Sequence, residues 1–390
     1  MKKYNRYDII ITILYVFLLI YIIYKIIFTN NENTEIDYVN NIIKPFTYYA
    51  NCDMQNIFDI VLKKYNMKRE MKDWEYYFSC DLNSAENDIR RFERDLNPKK
   101  IYLIDGCDII SSKVKLWNLL KEYDDTLDVS IIHTIMPKTY ILVDDTDMNE
   151  IKEHYDKNSL KKSNHIYVLK YLIQQQKGIK LVNTYDGIMS GKYDNYRLVQ
   201  DYLYNPYLIN KHKINLRYYI LIVCRNNQIE GYIHENGFLY YTPKEYDSED
   251  IDFDKHITTG YIDRKIYEIN PLTLDDFRIY LNKVEKNSSY LWDRNVNKLM
   301  NYVLTAAARK MCKNQKLRHH TLFHIFGADV APTNDLSAFL MEINKGPDFN
   351  AKDQRDKQVK ISVIEDMFKI IENTDTFKIS DVPHRYTRVY

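Results

Sequence analysis

Apolar and polar residues divide the chain into stretches of different period. Ile9 to Tyr24 carries no charge, and after Lys25 the apolar character resumes through Phe28. At ~1.5 Å per residue these positions come to roughly 30 Å, the hydrocarbon thickness of a bilayer. The run is apolar on every face, sits at a terminus and is followed by no small-residue cleavage pattern. It therefore predicts one retained transmembrane helix within residues 1–28. Thr29–Asn41, rich in Asn and acid, predicts a linker.

Past the linker, Lys100–Ile104 predicts a strand, Lys113–Tyr123 a helix and Val129–His133 another strand, a small α/β lobe over residues 42–155. Short apolar runs follow quickly: Ile166–Leu169, Lys180–Val182, Arg197–Tyr202, Arg217–Val223, Gln228–Ile233 and Gly237–Tyr241. Asn236-Gly237 between the last two predicts a hairpin turn. Helices are expected at Leu274–Lys286, Asn295–Lys313 and Val359–Glu372, with strands at Thr321–Phe326 and Ala338–Ile343. The order predicts an α+β fold with a small N-terminal α/β lobe, preceded by a single transmembrane helix. A central lobe would cover 156–260 and a C-terminal lobe 261–390.

Charge changes the picture in two ways. Lys+Arg number 55 against 54 Asp+Glu, a net charge of +1, so no polyanion-binding signature is present and nucleic acid is not an expected partner. Lys2, Lys3 and Arg6 precede the apolar span while Glu32, Glu35 and Asp37 follow it, so the positive-inside rule would carry the large domain across the membrane. The expected location is a single-pass membrane protein, with the side of the domain left open. Five scattered cysteines without a C-x-x-C pair argue against a disulfide framework or structural zinc. His319-His320 with His324 lacks matching ligand spacing, which disfavours zinc there as well.

Two constellations could carry chemistry. Glu342 and Asn344 lie two apart on an apolar strand and so share a face, and Asp329 comes thirteen positions before Glu342. Two carboxylates and an amide oxygen suit Mg²⁺ when phosphates complete its shell, and a solvated strand end is the rival reading. Lys213, Asn215 and Arg217 alternate along a strand that is otherwise apolar, a polar stripe that is costly to bury unless it meets an anion. Lys170 and Gln200 end two further apolar runs. Neither a G-x-G-x-x-G nor a Walker motif is present.

In order, these pieces resemble the tubulin–tyrosine ligase-like family of the ATP-grasp superfamily. The resemblance rests on Pro137-Lys-Thr-Tyr140, Tyr167-Val-Leu-Lys170, Lys177-Gly178, Val199-Gln200 and Asn205-Pro206. It continues through Lys213-Ile-Asn-Leu-Arg217, His256-Ile-Thr258-Thr259, Gly327-Ala-Asp329 and Met341-Glu-Ile-Asn344 with Pro347. It covers roughly residues 130–370. It implies an ATP-grasp fold in which Lys170, Lys177, Gly178, Gln200, Lys213 and Asn215 bind ATP. Asp329, Glu342 and Asn344 would bind Mg²⁺, and Arg217, His256 and Thr258 would serve the reaction. The implied activity joins an amino acid, tyrosine or glutamate, to a protein acceptor (tubulin or another exposed tail) through an acyl phosphate.

This chain departs from the pattern at Gln176, where a first glycine is expected, at Asn215 for Asp, at His234 for Arg and at Thr259 for Asn. A degenerate, membrane-anchored module that binds nucleotide or a partner without turnover is therefore the alternative.

Overall fold

A computed structural model of the chain describes residues 46–79, 85–160, 165–171, 178–372 and 383–390. The chain divides into two compact units, Met1–Tyr49 with Leu62–Glu75, and Ala50–Val61 with Tyr76–Tyr390. In the described part of the first, Thr47 and Tyr48 pair in parallel with Lys68 and Arg69.

The second unit holds two sheets. At the centre of the larger is the strand His212–Arg225. Thr321–Pro332 pairs along one of its edges, and Gln228–His234 and Phe238–Tyr241 pair along successive parts of the other, all antiparallel. Ala338–Asn344 continues antiparallel beyond Thr321–Pro332, while Lys100–Tyr102 joins the same strand in parallel and Tyr76–Phe78 joins Lys100–Tyr102 in parallel. The central strand is almost continuously apolar because both faces are covered. Tyr218 points to the helix Ser288–Ala308, where Trp292 Nε1 donates to its hydroxyl at 2.8 Å. Tyr219, on the opposite face, stacks on Phe349.

The smaller sheet has four antiparallel strands in the order Thr139–Ile141, Leu198–Asp201, Tyr167–Lys170, Ile179–Val182. The period of two sorts its side chains. Tyr167 and Leu169 pack with Ile151 and Ile188 from the helices Asp145–Leu160 and Tyr185–Tyr193. Val168 and Lys170 point the other way, into a cavity.

Several expectations are corrected. Parallel and antiparallel pairs share one sheet and helices are interleaved with strands, so the fold is mixed α/β rather than α+β behind a transmembrane helix. No helix among the described residues is long and apolar enough to cross a membrane, which counts against the single-pass membrane assignment. The helix Ser288–Ala308 is long enough but carries Asp293, Arg294 and Lys298. The segment Ile9–Phe28 lies outside the described residues.

Residues expected to form a strand at 129–133 instead lead into the helical turn Ile132–Ile135. There the backbone N–H groups of Ile131 and Ile132 donate to the buried Asp124 carboxylate. Asn236-Gly237 is no hairpin, because the strands on either side of it both pair with His212–Arg225. Two-residue hairpin turns stand instead at Asn226-Asn227 and at Asn210-Lys211, with both residues of each at positive φ, as a type I′ turn needs. Cysteine pairing was also misread. Cys224 and Cys312 form a disulfide and Cys52 is disulfide-bonded too, while Cys107 is buried.

Candidate functional site

A cavity of about 650 Å³ is lined by both sheets of the second unit. It gathers Lys170, Gly178, Lys213, Asn215, Arg217, His256, Thr258, Asp329, Glu342 and Asn344 from positions far apart in the chain. Gln200 stands behind this wall and touches it through Lys170, and Lys177 and Gln176 lie outside the described residues.

Strand register assembles the acidic corner. Arg217 is the cross-strand partner of Asp329, and Asp329 of Glu342, so the three form one row across three strands. Arg217 Nε and Nη2 donate to the two Asp329 oxygens at 2.5 and 3.0 Å. Glu342 receives Asn344 Nδ2 at 3.0 Å and lies 3.1 Å from Lys113 Nζ. Burial alone would raise the Glu342 carboxyl, but Lys113, the Asn344 amide and Lys170 outweigh it and hold the pKa at about 2. Glu342 is therefore ionised at neutral pH.

Opposite this corner stand two buried lysines. Lys170 Nζ donates to Gln200 Oε1 at 2.6 Å, Gln200 Nε2 to Thr139 Oγ1 at 2.9 Å, and Thr139 Oγ1 to the Pro137 carbonyl at 2.8 Å. This chain fixes the orientation of the Gln200 amide and joins three of the sequence motifs. Lys213 Nζ donates to Tyr202 OH at 3.1 Å, and that hydroxyl lies 2.8 Å from His256 Nδ1. His256 Nε2 meets the Asp250 carbonyl, so the neutral ring carries its proton on Nε2 and both nitrogens are engaged. Burial also lowers the His256 pKa. Asn215 Oδ1 is buried without a hydrogen-bond partner in the cavity wall.

Not all the expected groups meet here. His234 is fully buried and does not line the cavity; its ring faces the Asn236 carbonyl and Asp366. Its imidazole is therefore not offered to the cavity. Sequence reasoning missed Lys113, Tyr240, Arg264, Lys352 and the ion pair Asp356–Lys360 at 2.9 Å. Lys113 left no signal beyond its place at a helix start. Asp356 and Lys360 were readable, since they are four apart within the apolar stripe Val359, Val363, Ile364, Met367 of the helix Gln354–Ile371.

A family model described as the tubulin-tyrosine ligase family matches residues 97–380, more than half of the chain. The chain belongs to the tubulin–tyrosine ligase family. Its mixed α/β fold is consistent with the ATP-grasp-like domain of this family. It is 22% identical over 181 residues to a probable tubulin polyglutamylase of Caenorhabditis elegans, covering 45% of this chain and 42% of that protein. It is 23% identical over 284 residues to a tubulin polyglutamylase of Mus musculus, covering 67% of this chain and 20% of the other. A tubulin glycylase of Drosophila melanogaster is 20% identical over 223 residues, 54% of this chain and 29% of that protein. The chain thus spans less than half the length of these curated relatives.

Proposed function

We propose that this tubulin–tyrosine ligase family member is an ATP- and Mg²⁺-dependent acid–amine ligase. It would add an amino acid to a protein acceptor, with glutamate the substrate and a tubulin tail the acceptor favoured by the relatives' names. The observation that carries this reading is the Arg217–Asp329–Glu342 row facing Lys170 and Lys213 in one cavity.

The residues fit the implied ligands chemically. Seven cationic side chains (Lys113, Lys170, Lys213, Arg217, Arg264, Lys352, Lys360) line the cavity against four carboxylates, as polyphosphate binding asks. Asp329, Glu342 and Asn344 offer oxygen donors alone, the set Mg²⁺ takes together with phosphates. ATP bound there with Mg²⁺ would supply a phosphoryl group to a carboxylate, with ADP leaving, and an amine would then attack the acyl carbon and expel inorganic phosphate to leave an amide. Lys170, held by Gln200, and Lys213, held by Tyr202, would counter phosphate charge from fixed positions. Arg217 would stabilise the anionic intermediate with donors already oriented by Asp329. His256 would act by positioning Tyr202, since neither of its nitrogens is left for proton transfer. Thr258 and Gly178 border the same space, and Lys177 would complete the phosphate side.

A nucleotide-binding protein without turnover is the second reading, favoured by the unpartnered Asn215 Oδ1 and the inward turn of His234. Incubating the full chain with tubulin, labelled glutamate and Mg²⁺–ATP separates the two. ATP-dependent label in the tubulin tail, lost in Arg217→Ala, supports the ligase. Nucleotide binding with no product for any amino acid sinks it.

A further inference from the structure

Outside the cavity, three side chains with metal-ligand chemistry converge on the small sheet. His154 stands on the helix Asp145–Leu160, His165 lies two residues before the strand Tyr167–Lys170 begins, and Asp201 ends the strand Leu198–Asp201. His154 Nδ1 lies 3.5 Å and His165 Nε2 3.6 Å from the same Asp201 oxygen, Oδ1. One ligand atom from each residue falls within 4.8 Å of the other two. None of the three lines the cavity described above.

The spacing is wrong for a hydrogen-bonded cluster. Good N–H···O contacts run about 2.7–3.2 Å, and these are longer. Asp201 Oδ1 and His165 Nε2 are in fact buried with no hydrogen-bond partner among the described residues. A carboxylate oxygen and an imidazole nitrogen withdrawn from water and left unmet ask for a ligand. A tetrahedral ion bound at about 2.0–2.2 Å holds its donor atoms roughly 3.3–3.5 Å apart, close to both measured separations. The two imidazole rings stand at 87° with centroids 5.4 Å apart, so each can present a nitrogen without stacking on the other. The one other group facing the proposed ligand atom His154 Nδ1 among the described residues is the Tyr167 hydroxyl at 3.4 Å, also beyond the range of a good hydrogen bond. The Tyr140 hydroxyl is also buried without a partner, its ring 6.1 Å from that of His154.

We propose that His154, His165 and Asp201 form a binding site for a divalent transition-metal ion of the zinc class, with a fourth position left for water. Two nitrogens and one carboxylate select such an ion over Mg²⁺ or Ca²⁺, which favour all-oxygen shells. The site is independent of the nucleotide reading. Its consequence is local order, because one ion would tie together a helix, the start of the strand that ends in Lys170, and the residue after Gln200.

The test uses the full chain, stripped with chelator, dialysed and titrated with Zn²⁺ or Co²⁺ in the absence of nucleotide. The expected result is one tightly bound ion per chain, the visible absorption of tetrahedral Co²⁺, and a higher melting temperature. Asp201→Asn and His165→Gln should lose all three, while Glu342→Gln keeps them. X-ray absorption of the Zn²⁺-loaded wild type, which needs no variant to fold, should show two imidazole ligands. Absence of tight binding in the wild type, equal binding in the variants, or a loaded site without imidazole would each overturn the proposal.

Discussion

Arg217 and Asp329 face each other across the central antiparallel pair, and the guanidinium closes on the carboxylate through two nitrogens. A planar fork against a planar acceptor has a geometry that an ammonium cannot copy. Gly327 lies beside it, where a Cβ would come within 3.1 Å of Arg217 Cδ. Arg217→Lys is therefore expected to keep the charge and the fold but lose orientation. The rate of ATP-dependent ligation should fall by about 10²–10³, the loss seen when one preorganised charge-stabilising donor goes. The melting temperature should move by only a few degrees. A variant that retains wild-type turnover would remove Arg217 from the chemistry.

Glu342 is held ionised by Lys113, Asn344 and Lys170, and any bound cation must share it with them. Thermal unfolding with and without Mg²⁺–ATP reads this directly. At a hundredfold excess over Kd, binding stabilises the native state by about 2.7 kcal/mol. We expect the rise in melting temperature to require the metal and to vanish in Glu342→Gln. An undiminished rise in that variant would show that the cation is bound without it.

How much of this was legible in the sequence depends on which forces are local. The alternation Lys213, Asn215, Arg217 and the pair Glu342, Asn344 were readable because strand period alone sets the face. What the period cannot give is register. That Asp329 meets both Arg217 and Glu342 depends on pairing across three strands, and a shift of one residue would turn every side chain over. Lys113 was invisible for a similar reason, since its contact with Glu342 spans more than two hundred residues. The helix Asp145–Leu160 went unread because few of its residues are apolar, and with it went His154. The turn at Ile132–Ile135 was taken for a strand because β-branched residues favour one locally. A buried carboxylate that no local rule can see takes their N–H groups instead.

The two cavity lysines predict a pH dependence. Burial pushes Lys213 down to about 7, with Lys170 adding repulsion, and pushes Lys170 down to about 8 despite the pull of Glu342. Phosphate binding favours the charged forms and so raises both values. Nucleotide affinity should then be greatest below about pH 7 and weaken as pH rises, by at most about tenfold per pH unit for each lysine. In the ligand-free protein the unfolded chain holds more protons above pH 7, so stability should increase with pH up to the ordinary lysine range. Calorimetry near pH 8 in buffers of different ionisation enthalpy should detect proton uptake on nucleotide binding. Binding without uptake would mean that these lysines do not meet the phosphates.

Asp124 supports the same site from a distance. It ends the helix Lys113–Asp124, whose first residue reaches Glu342, and it is buried. Its oxygens accept from Ser130 Oγ at 2.5 Å, from Ile131 N at 2.9 Å, and from Ile132 N and Tyr302 OH at 3.0 Å. Burial raises its pKa, but these donors outweigh burial and leave it lowered. The stabilisation is therefore complete above the ordinary carboxylate range and is lost as pH falls through the folded value. Asp124→Ala strands two backbone N–H groups and two hydroxyls at once and should cost about 2–4 kcal/mol of stability. Asp124→Asn keeps an acceptor oxygen and should cost less. Denaturant unfolding of both variants at neutral pH measures the order, and equal losses would mean that the charge and its donors carry no weight here.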